Sequence, residues 1–272
     1  MTALLQMEAL SIRFGGVVAI GGLDLSIEAG SIFGLIGPNG AGKTSCFNVI
    51  TGVYQPTSGA VVFDGKNLKG LKPHRITQLG LARTFQNIRL FPEMTALENV
   101  MVGADAKHRT GVAAAVLGLP IHRREERDGE GLARELLDFT GVIGVEDEAA
   151  KNLPYGSQRR LEIARALATN PKLLLLDEPA AGMNPAEKNS LSSLIQRIRD
   201  RGVTVLLIEH DMGLVMSICE RIAVLDFGRK IAEGAPAEVR ESPEVIEAYL
   251  GRPDVDEDTD YADAGEEHDD AP

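Results

Sequence analysis

Cysteine is nearly missing: the 272 residues hold only Cys46 and Cys219. Two thiols without metal-like spacing exclude a disulfide framework and suit a reducing compartment. Both read as small buried apolar residues. Cys46 follows a glycine-rich loop, so its alkylation is expected to disturb whatever that loop binds. Long apolar runs are missing as well. The longest, residues 111–121, has 11 residues, against the roughly 20 that a membrane-spanning helix needs. The N-terminus has no basic lead and carries Glu8 early, so it does not read as a secretory signal. The expectation from these absences is a chain that is cytoplasmic or reaches a membrane only through partners. Basic residues are outnumbered, with 28 Lys and Arg against 40 Asp and Glu. No basic stripe of the kind that tracks nucleic acid occurs, which argues against a nucleic-acid partner. An Asn-Lys-x-Asp sequence is also missing, and with it the usual means of reading guanine.

The formal charge of −12 is unevenly spread. Residues 252–272 hold ten acids and one base, leaving only −3 for the rest. That tail has the composition of a solvated, disordered segment. Residues 1–251 suit one α/β domain with an inserted subdomain, and 44% hydrophobic residues suffice for a sizeable core. Residues 10–14, 23–27, 31–37 and 60–64 read as strands, and 43–51 as a helix. Thr95-Ala96-Leu97-Glu98 forms a capping box that opens another helix. Residues 123–140 and 156–170 show helical apolar spacing at Leu132, Leu136, Leu137 and Phe139, and at Leu161, Ala164, Leu167 and Ala168. Residues 91–170 are therefore expected to be a helical insertion. Residues 173–176 and 203–208 are continuous apolar runs, as in buried parallel strands. Between them, Asn184-Pro185-Ala186-Glu187 combines an N-cap, a proline at N1 and an acid at N3, opening a helix that runs to about residue 201. A helix over 213–220 and strands over 221–226 and 229–231 close the sheet. The fold class is α/β: a P-loop NTPase core with an N-terminal antiparallel β-subdomain and an inserted helical subdomain.

Gly37-Pro38-Asn39-Gly40-Ala41-Gly42-Lys43-Thr44 fits the phosphate-loop pattern in full. Glycines let consecutive N–H groups curl inward around phosphate oxygens. The following helix, with Ser45 in its first turn, adds its positive N-terminal end. Lys43 is expected to reach the β- and γ-phosphates of ATP, and the Thr44 hydroxyl to bind Mg²⁺. In Leu173-Leu174-Leu175-Leu176-Asp177-Glu178, two acids end a buried strand, where open α/β sheets bind their ligands. Asp177 is the expected Mg²⁺ partner. Glu178 is the expected base toward the attacking water.

These motifs, in this order, resemble the nucleotide-binding subunits of ABC transporters over about residues 4–251. The resemblance implies an ATPase that binds ATP and Mg²⁺. It places Phe14 against adenine, Gln86 beside Mg²⁺ and the attacking water, and His210 at the γ-phosphate. Tyr155 and Gly156 then belong to the signature that meets nucleotide held by a facing subunit. That signature departs from Leu-Ser-Gly-Gly, reading Leu153-Pro154-Tyr155-Gly156; Pro154 lacks both the hydroxyl and the N–H. Asn184 stands where an aspartate is common, and its helix-cap role explains it. The stretches Gln86-Asn87-Ile88-Arg89-Leu90-Phe91-Pro92 and Tyr155-Gly156-Ser157-Gln158-Arg159-Arg160-Leu161-Glu162, the insertion around residues 108–127 and the ending 231–251 resemble branched-chain amino acid importers. Importers of amides or urea share much of this pattern. Implied partners are a second ATPase subunit (a distinct homologue or a second copy), membrane permeases reached through residues 86–100, and, indirectly, a solute-binding protein. The implied location is the cytoplasmic face of the cell membrane. A soluble ABC ATPase in repair or translation would carry two ATPase halves or long coiled-coil insertions, and neither is present. A non-hydrolysing regulator would not need Glu178 and His210.

Overall fold

The computed structural model describes residues 3–105 and 120–250. The acidic stretch 252–272 and most of the insertion at 108–127 lie outside the described residues. Two sheets organise the chain. The first is antiparallel, in the order β2-β1-β4-β5, from β1 (Ala3–Phe14), β2 (Val17–Glu28), β4 (Ser58–Phe63) and β5 (Lys66–Asn67). The second runs β10-β9-β3-β8-β7-β6. Its strands are β3 (Ile32–Ile36), β6 (Leu81–Arg83), β7 (Leu173–Asp177), β8 (Thr204–Ile208), β9 (Arg221–Asp226) and β10 (Arg229–Gly234). All its pairings are parallel except β9 with β10.

The apolar runs are continuous because both faces of the second sheet are covered. Successive side chains of a strand point to opposite faces. Leu173 and Leu175 join Phe33, Leu35, Leu206 and Ile208 in a core shared with the antiparallel sheet and α1 (Lys43–Ile50). Leu174 and Leu176 join Ile32, Ile36, Val205 and Leu207 in a second core covered by helices. All five residues in each of β3, β7 and β8 are buried, and the only polar ones, Thr204 and Asp177, stand at strand ends.

Three helices pack together beyond β6: α3 (Ala96–Asp105), α4 (Pro120–Thr140) and α5 (Tyr155–Ala168). A short α2 (Pro73–Gln78) precedes β6. The expected capping box opens α3: Thr95 N–H donates to Glu98 Oε2 at 2.8 Å, and Glu98 N–H to Thr95 Oγ1 at 3.1 Å. The apolar positions read on α4 and α5 are buried, apart from a partly buried Leu132. The chain then alternates through α6 (Pro185–Asp200), α7 (Met212–Ile218), α8 (Pro236–Glu241) and α9 (Pro243–Leu250).

Asn184 caps α6 reciprocally with Glu187: Glu187 N–H donates to Asn184 Oδ1 at 3.0 Å, and Asn184 N–H to Glu187 Oε2 at 2.9 Å. Replacing such a cap by alanine costs about 1 kcal/mol. Asn184→Ala is therefore expected to lower the melting temperature by about 2–4 °C in a domain of this size. Scanning calorimetry checks it, and an unchanged melting temperature would remove the cap from the account of α6.

Both cysteines are buried, which pushes each thiol up to about 12. This corrects the expectation for Cys46: its Sγ lies in the core against Met7 Sδ, 3.6 Å away. Such a thiol is almost never ionised, and alkylation needs the thiolate.

Candidate active site

The phosphate loop leaves the C-terminal end of β3 and enters α1 without any side-chain cap. The first amides of α1 are therefore not claimed by a neighbouring side chain. Two glycines here have no substitute. Gly37 has φ 147° and Gly42 φ 103°. A Cβ on Gly37 would collide with the Leu225 carbonyl oxygen, and one on Gly42 would stand 2.6 Å from the Ala19 carbonyl oxygen. Gly40, φ 80°, has open space around it, so its glycine serves conformation alone. Pro38 and Ser45 are half-buried, Asn39 and Thr44 exposed, and Ala41 buried.

Lys43 Nζ folds back over the loop, donating to the Gly37 carbonyl at 2.7 Å and the Pro38 carbonyl at 2.9 Å. Burial lowers its pKa from the usual lysine value, while Glu178 and Asp177 pull it back up. The loop forms one wall of a cleft of about 370 Å³ that also takes in residues 17–19, Glu178, His210 and Phe227. The glycine-rich loop and Glu178, just beyond the end of β7, thus face one space.

Glu178 is the hub of that space. Its Oε2 accepts from Gln86 Nε2 at 2.8 Å, and its Oε1 lies 2.6 Å from His210 Nε2. Three residues far apart in sequence meet on one carboxylate. Glu178 also has φ 47°, in the left-handed region. Such a conformation costs a non-glycine residue of order 1–3 kcal/mol and clusters at functional sites. The Glu178 N–H donates to the Ile208 carbonyl at 2.9 Å, tying the end of β7 to β8.

Glu209 reinforces this join. It is buried, and it accepts from the Ala180 N–H at 2.7 Å and the His210 N–H at 3.0 Å. Burial raises its carboxyl above the ordinary range, against three backbone N–H groups that lower it. The turn after β7, which carries Glu178, is thereby held against the turn after β8, which carries His210. Asp177 is 4% exposed, and its Oδ2 accepts from Arg83 Nη2 at 2.8 Å. Arg83 also donates to Asn48 Oδ1 on α1 at 2.8 Å, and lies over the Phe47 and Phe85 rings. Glu209 and Arg83 were not picked out from sequence. Glu209 directly precedes His210, which was, and Arg83 lies three residues before Gln86.

The family profile described as ABC transporter matches residues 20–181, more than half the chain. The high-affinity branched-chain amino acid transport ATP-binding protein BraF of Pseudomonas aeruginosa is 47% identical over 249 residues, covering 91% of this chain and 98% of its own length. The chain belongs to the ABC transporter family. The high-affinity branched-chain amino acid transport ATP-binding protein LivG of Escherichia coli K12 is 45% identical over 91% of this chain and 98% of its own length. A profile described as branched-chain amino acid ATP-binding cassette transporter matches residues 229–255. A solved structure described as a nucleotide-free ATP-binding cassette from an ABC transporter superposes with a TM-score of 0.80. It is 31% identical and covers 92% of this chain and 100% of its own.

This ABC ATPase holds two expected site groups away from the cleft. Tyr155 and Gly156 open α5 after the N-cap Pro154. Tyr155 is half-exposed, and its hydroxyl accepts from Arg159 Nη2 at 3.0 Å. Neither residue lines the cleft that holds the phosphate loop. Phe14 is 45% exposed at the end of β1 and packs edge-on against Tyr54, ring centroids 5.1 Å apart. It too stands outside the lining of that cleft, although β2 contributes residues 17–19 to it. No helix among the described residues is long and apolar enough to cross a membrane.

Proposed function

We propose that this ATPase powers uptake of branched-chain or related amino acids through separate membrane permease subunits. We read residues 1–251 as one ABC ATPase domain with a helical insertion at about 91–170. The observation that carries the chemistry is the Glu178 carboxylate, held between Gln86 and His210 and facing the phosphate loop. The amino-acid assignment is supported by BraF, LivG and the match over residues 229–255.

In this reading ATP lays its phosphates on the amides of residues 37–45, with Lys43 turning from the loop carbonyls to the β- and γ-oxygens. Phe14 swings from Tyr54 to stack on adenine. Glu178 orients a water for in-line attack and takes its proton as the new oxygen–phosphorus bond forms and the bond to the β,γ-bridging oxygen breaks. Gln86 and His210 fix the carboxylate; Gln86 approaches the attacking water, and His210 contacts the γ-phosphate. The residues on hand suit Mg²⁺, which prefers oxygen donors: Thr44 offers an exposed hydroxyl, and Asp177 a carboxylate of which Arg83 takes Oδ2. When bound, Mg²⁺ neutralises charge that develops on the phosphates. A facing ATPase subunit presents the start of its signature helix to the bound nucleotide, and Tyr155 and Gly156 do the same for the facing site. Pro154 weakens this chain's signature while its own phosphate loop is intact, so the facing subunit is read as a distinct homologue. Full, cooperative ATPase activity of the purified chain alone would count against that.

The permease contact is assigned to residues 86–100. There Phe91, 46% exposed, lines a groove of about 300 Å³ that runs to Arg165, and Met94 is 37% exposed. Reassembled with its permeases and solute-binding protein in vesicles, the chain is expected to hydrolyse ATP faster when leucine, isoleucine or valine is supplied. Stimulation by short amides or urea instead would move it to that importer class. Turnover indifferent to any permease would replace transport with a soluble role.

A further inference from the structure

Two buried ionisable side chains take no part in the chemistry above. Arg159 is 0% exposed and Glu162 1% exposed, paired at 3.1 Å on α5. Nearly all their remaining bonds go to one place. Arg159 Nη1 donates to the Phe85 carbonyl at 2.6 Å, and Nη2 to the Gln86 carbonyl at 2.7 Å. Glu162 Oε1 accepts from the Phe85 N–H at 3.4 Å and the Arg89 N–H at 3.2 Å. Residues 85–89 belong to no helix or strand, so their shape depends on these bonds. The one further bond of Arg159 runs to the Tyr155 hydroxyl. A chain of contacts therefore links Tyr155, Arg159, the Gln86 carbonyl, the Gln86 amide and Glu178, at 3.0, 2.7 and 2.8 Å between successive residues.

Stability is a poor reason for this pair. Taking two charges out of water costs several kcal/mol per ion, and apolar replacements of similar volume are often neutral or stabilising. Arg159 Nε finds no partner among the described residues, which adds a further cost. What the pair supplies is direction: a rigid guanidinium fork fixes two consecutive carbonyls.

We propose that Arg159 and Glu162 are positioning residues that lock the Gln86 turn to the N-terminal end of α5, so that engagement of Tyr155 sets Gln86 against Glu178. The lock itself stands on the contacts above. That Tyr155 is engaged by nucleotide on the facing subunit rests on the function proposed here. The two ATP sites of a pair would thereby be coupled: occupancy of the facing phosphate loop readies this chain's own carboxylate.

The test uses the full chain, assembled with its partner subunits. Arg159→Met alone strands the Glu162 charge and is expected to lower stability. Arg159→Met with Glu162→Leu removes both charges and is expected to melt near the wild type, since residues 85, 86 and 89 are half-buried or exposed and their backbone can turn to water. The double variant is expected to bind ATP as the wild type does and to exchange the amides of residues 85–89 about tenfold faster. Its turnover is expected to fall about tenfold or more, with no further loss when Gln86→Ala is added, because residues acting as one unit are non-additive. Recovered stability without recovered turnover is an outcome that a purely structural pair does not give. Wild-type exchange at 85–89, or losses that add fully with Gln86→Ala, would overturn the lock. Tyr155→Phe is expected to keep slow exchange at 85–89 yet turn over more slowly; normal turnover in it overturns the link to Tyr155. A wild-type assembly that binds ATP without hydrolysing it would defeat the enzyme reading instead, and the exchange measurement would still judge the lock.

Discussion

Glu178→Gln is expected to bind ATP with near-normal affinity and to hydrolyse it about 10²–10⁴-fold more slowly, the range for loss of a general base. The amide replaces the carboxylate without changing its size. Its oxygen can still accept from Gln86 Nε2, and its NH₂ can donate to His210 Nε2 in the tautomer that leaves this nitrogen unprotonated. The cleft should therefore keep its shape and lose only the ability to take a proton. Bound ATP would persist, and pairs of subunits closed around it should accumulate in size-exclusion chromatography. Equilibrium binding of a fluorescent ATP analogue and single-turnover hydrolysis separate the two effects. Near-normal hydrolysis would remove Glu178 as the base. Loss of binding would mean that its place in the cleft, at φ 47°, is structural.

Most of this site can be read from sequence because its parts are local. The phosphate loop occupies eight consecutive residues, and its glycines at 37 and 42 answer to backbone angles that side chains rarely adopt. The acids at 177 and 178 follow a run of four leucines that only a strand buried on both faces would carry. Gln86 and His210 have no such local mark. What brings them together is that β6, β7 and β8 are neighbours, so their loops converge on Glu178. Family resemblance supplied them, helped for His210 by its spacing from Asp177. Arg83 and Glu209 were missed for a related reason: a charge at the end of a strand reads as a surface residue until the sheet order buries it against a partner. Arg159 and Glu162 sit three apart on a helix and look like an exposed ion pair, whereas both are within 1% of full burial. The antiparallel strands β1 and β2 were each read at five residues and span twelve. Shifts in pairing register, as between Met7 and Leu10, break the alternation that sequence reading follows. α8 and α9, of six and eight residues, went unread: they are too short for a periodic signal and, unlike α1 and α7, have no recognised motif or preceding buried strand to mark them.

Lys43→Ala should abolish high-affinity ATP binding, a stronger effect than the loss of turnover alone. Lys43 Nζ already holds the two loop carbonyls at 2.7 and 2.9 Å, so it stands at the mouth of the nest before nucleotide arrives. Of the two carboxylates beyond it, Asp177 is paired with Arg83, whereas Glu178 lines the cleft and opposes an incoming polyanion. Lys43 is the cation of the loop that offsets it, and both acids favour its protonated form. Alanine leaves the Glu178 carboxylate facing the triphosphate, where like charges in a partly buried cleft interact strongly. Ligand binding raises stability by about 2.7 kcal/mol at a hundred times its dissociation constant. In a domain of 150–250 residues that corresponds to an upward shift of about 5–10 °C. The wild type is expected to show such a shift with ATP and Mg²⁺, and Lys43→Ala none. The variant should melt close to the wild type without ligand, because Lys43 belongs to neither hydrophobic core. A full ATP-induced shift in Lys43→Ala would remove the loop at residues 37–44 from nucleotide binding, and the cleft assigned to ATP with it.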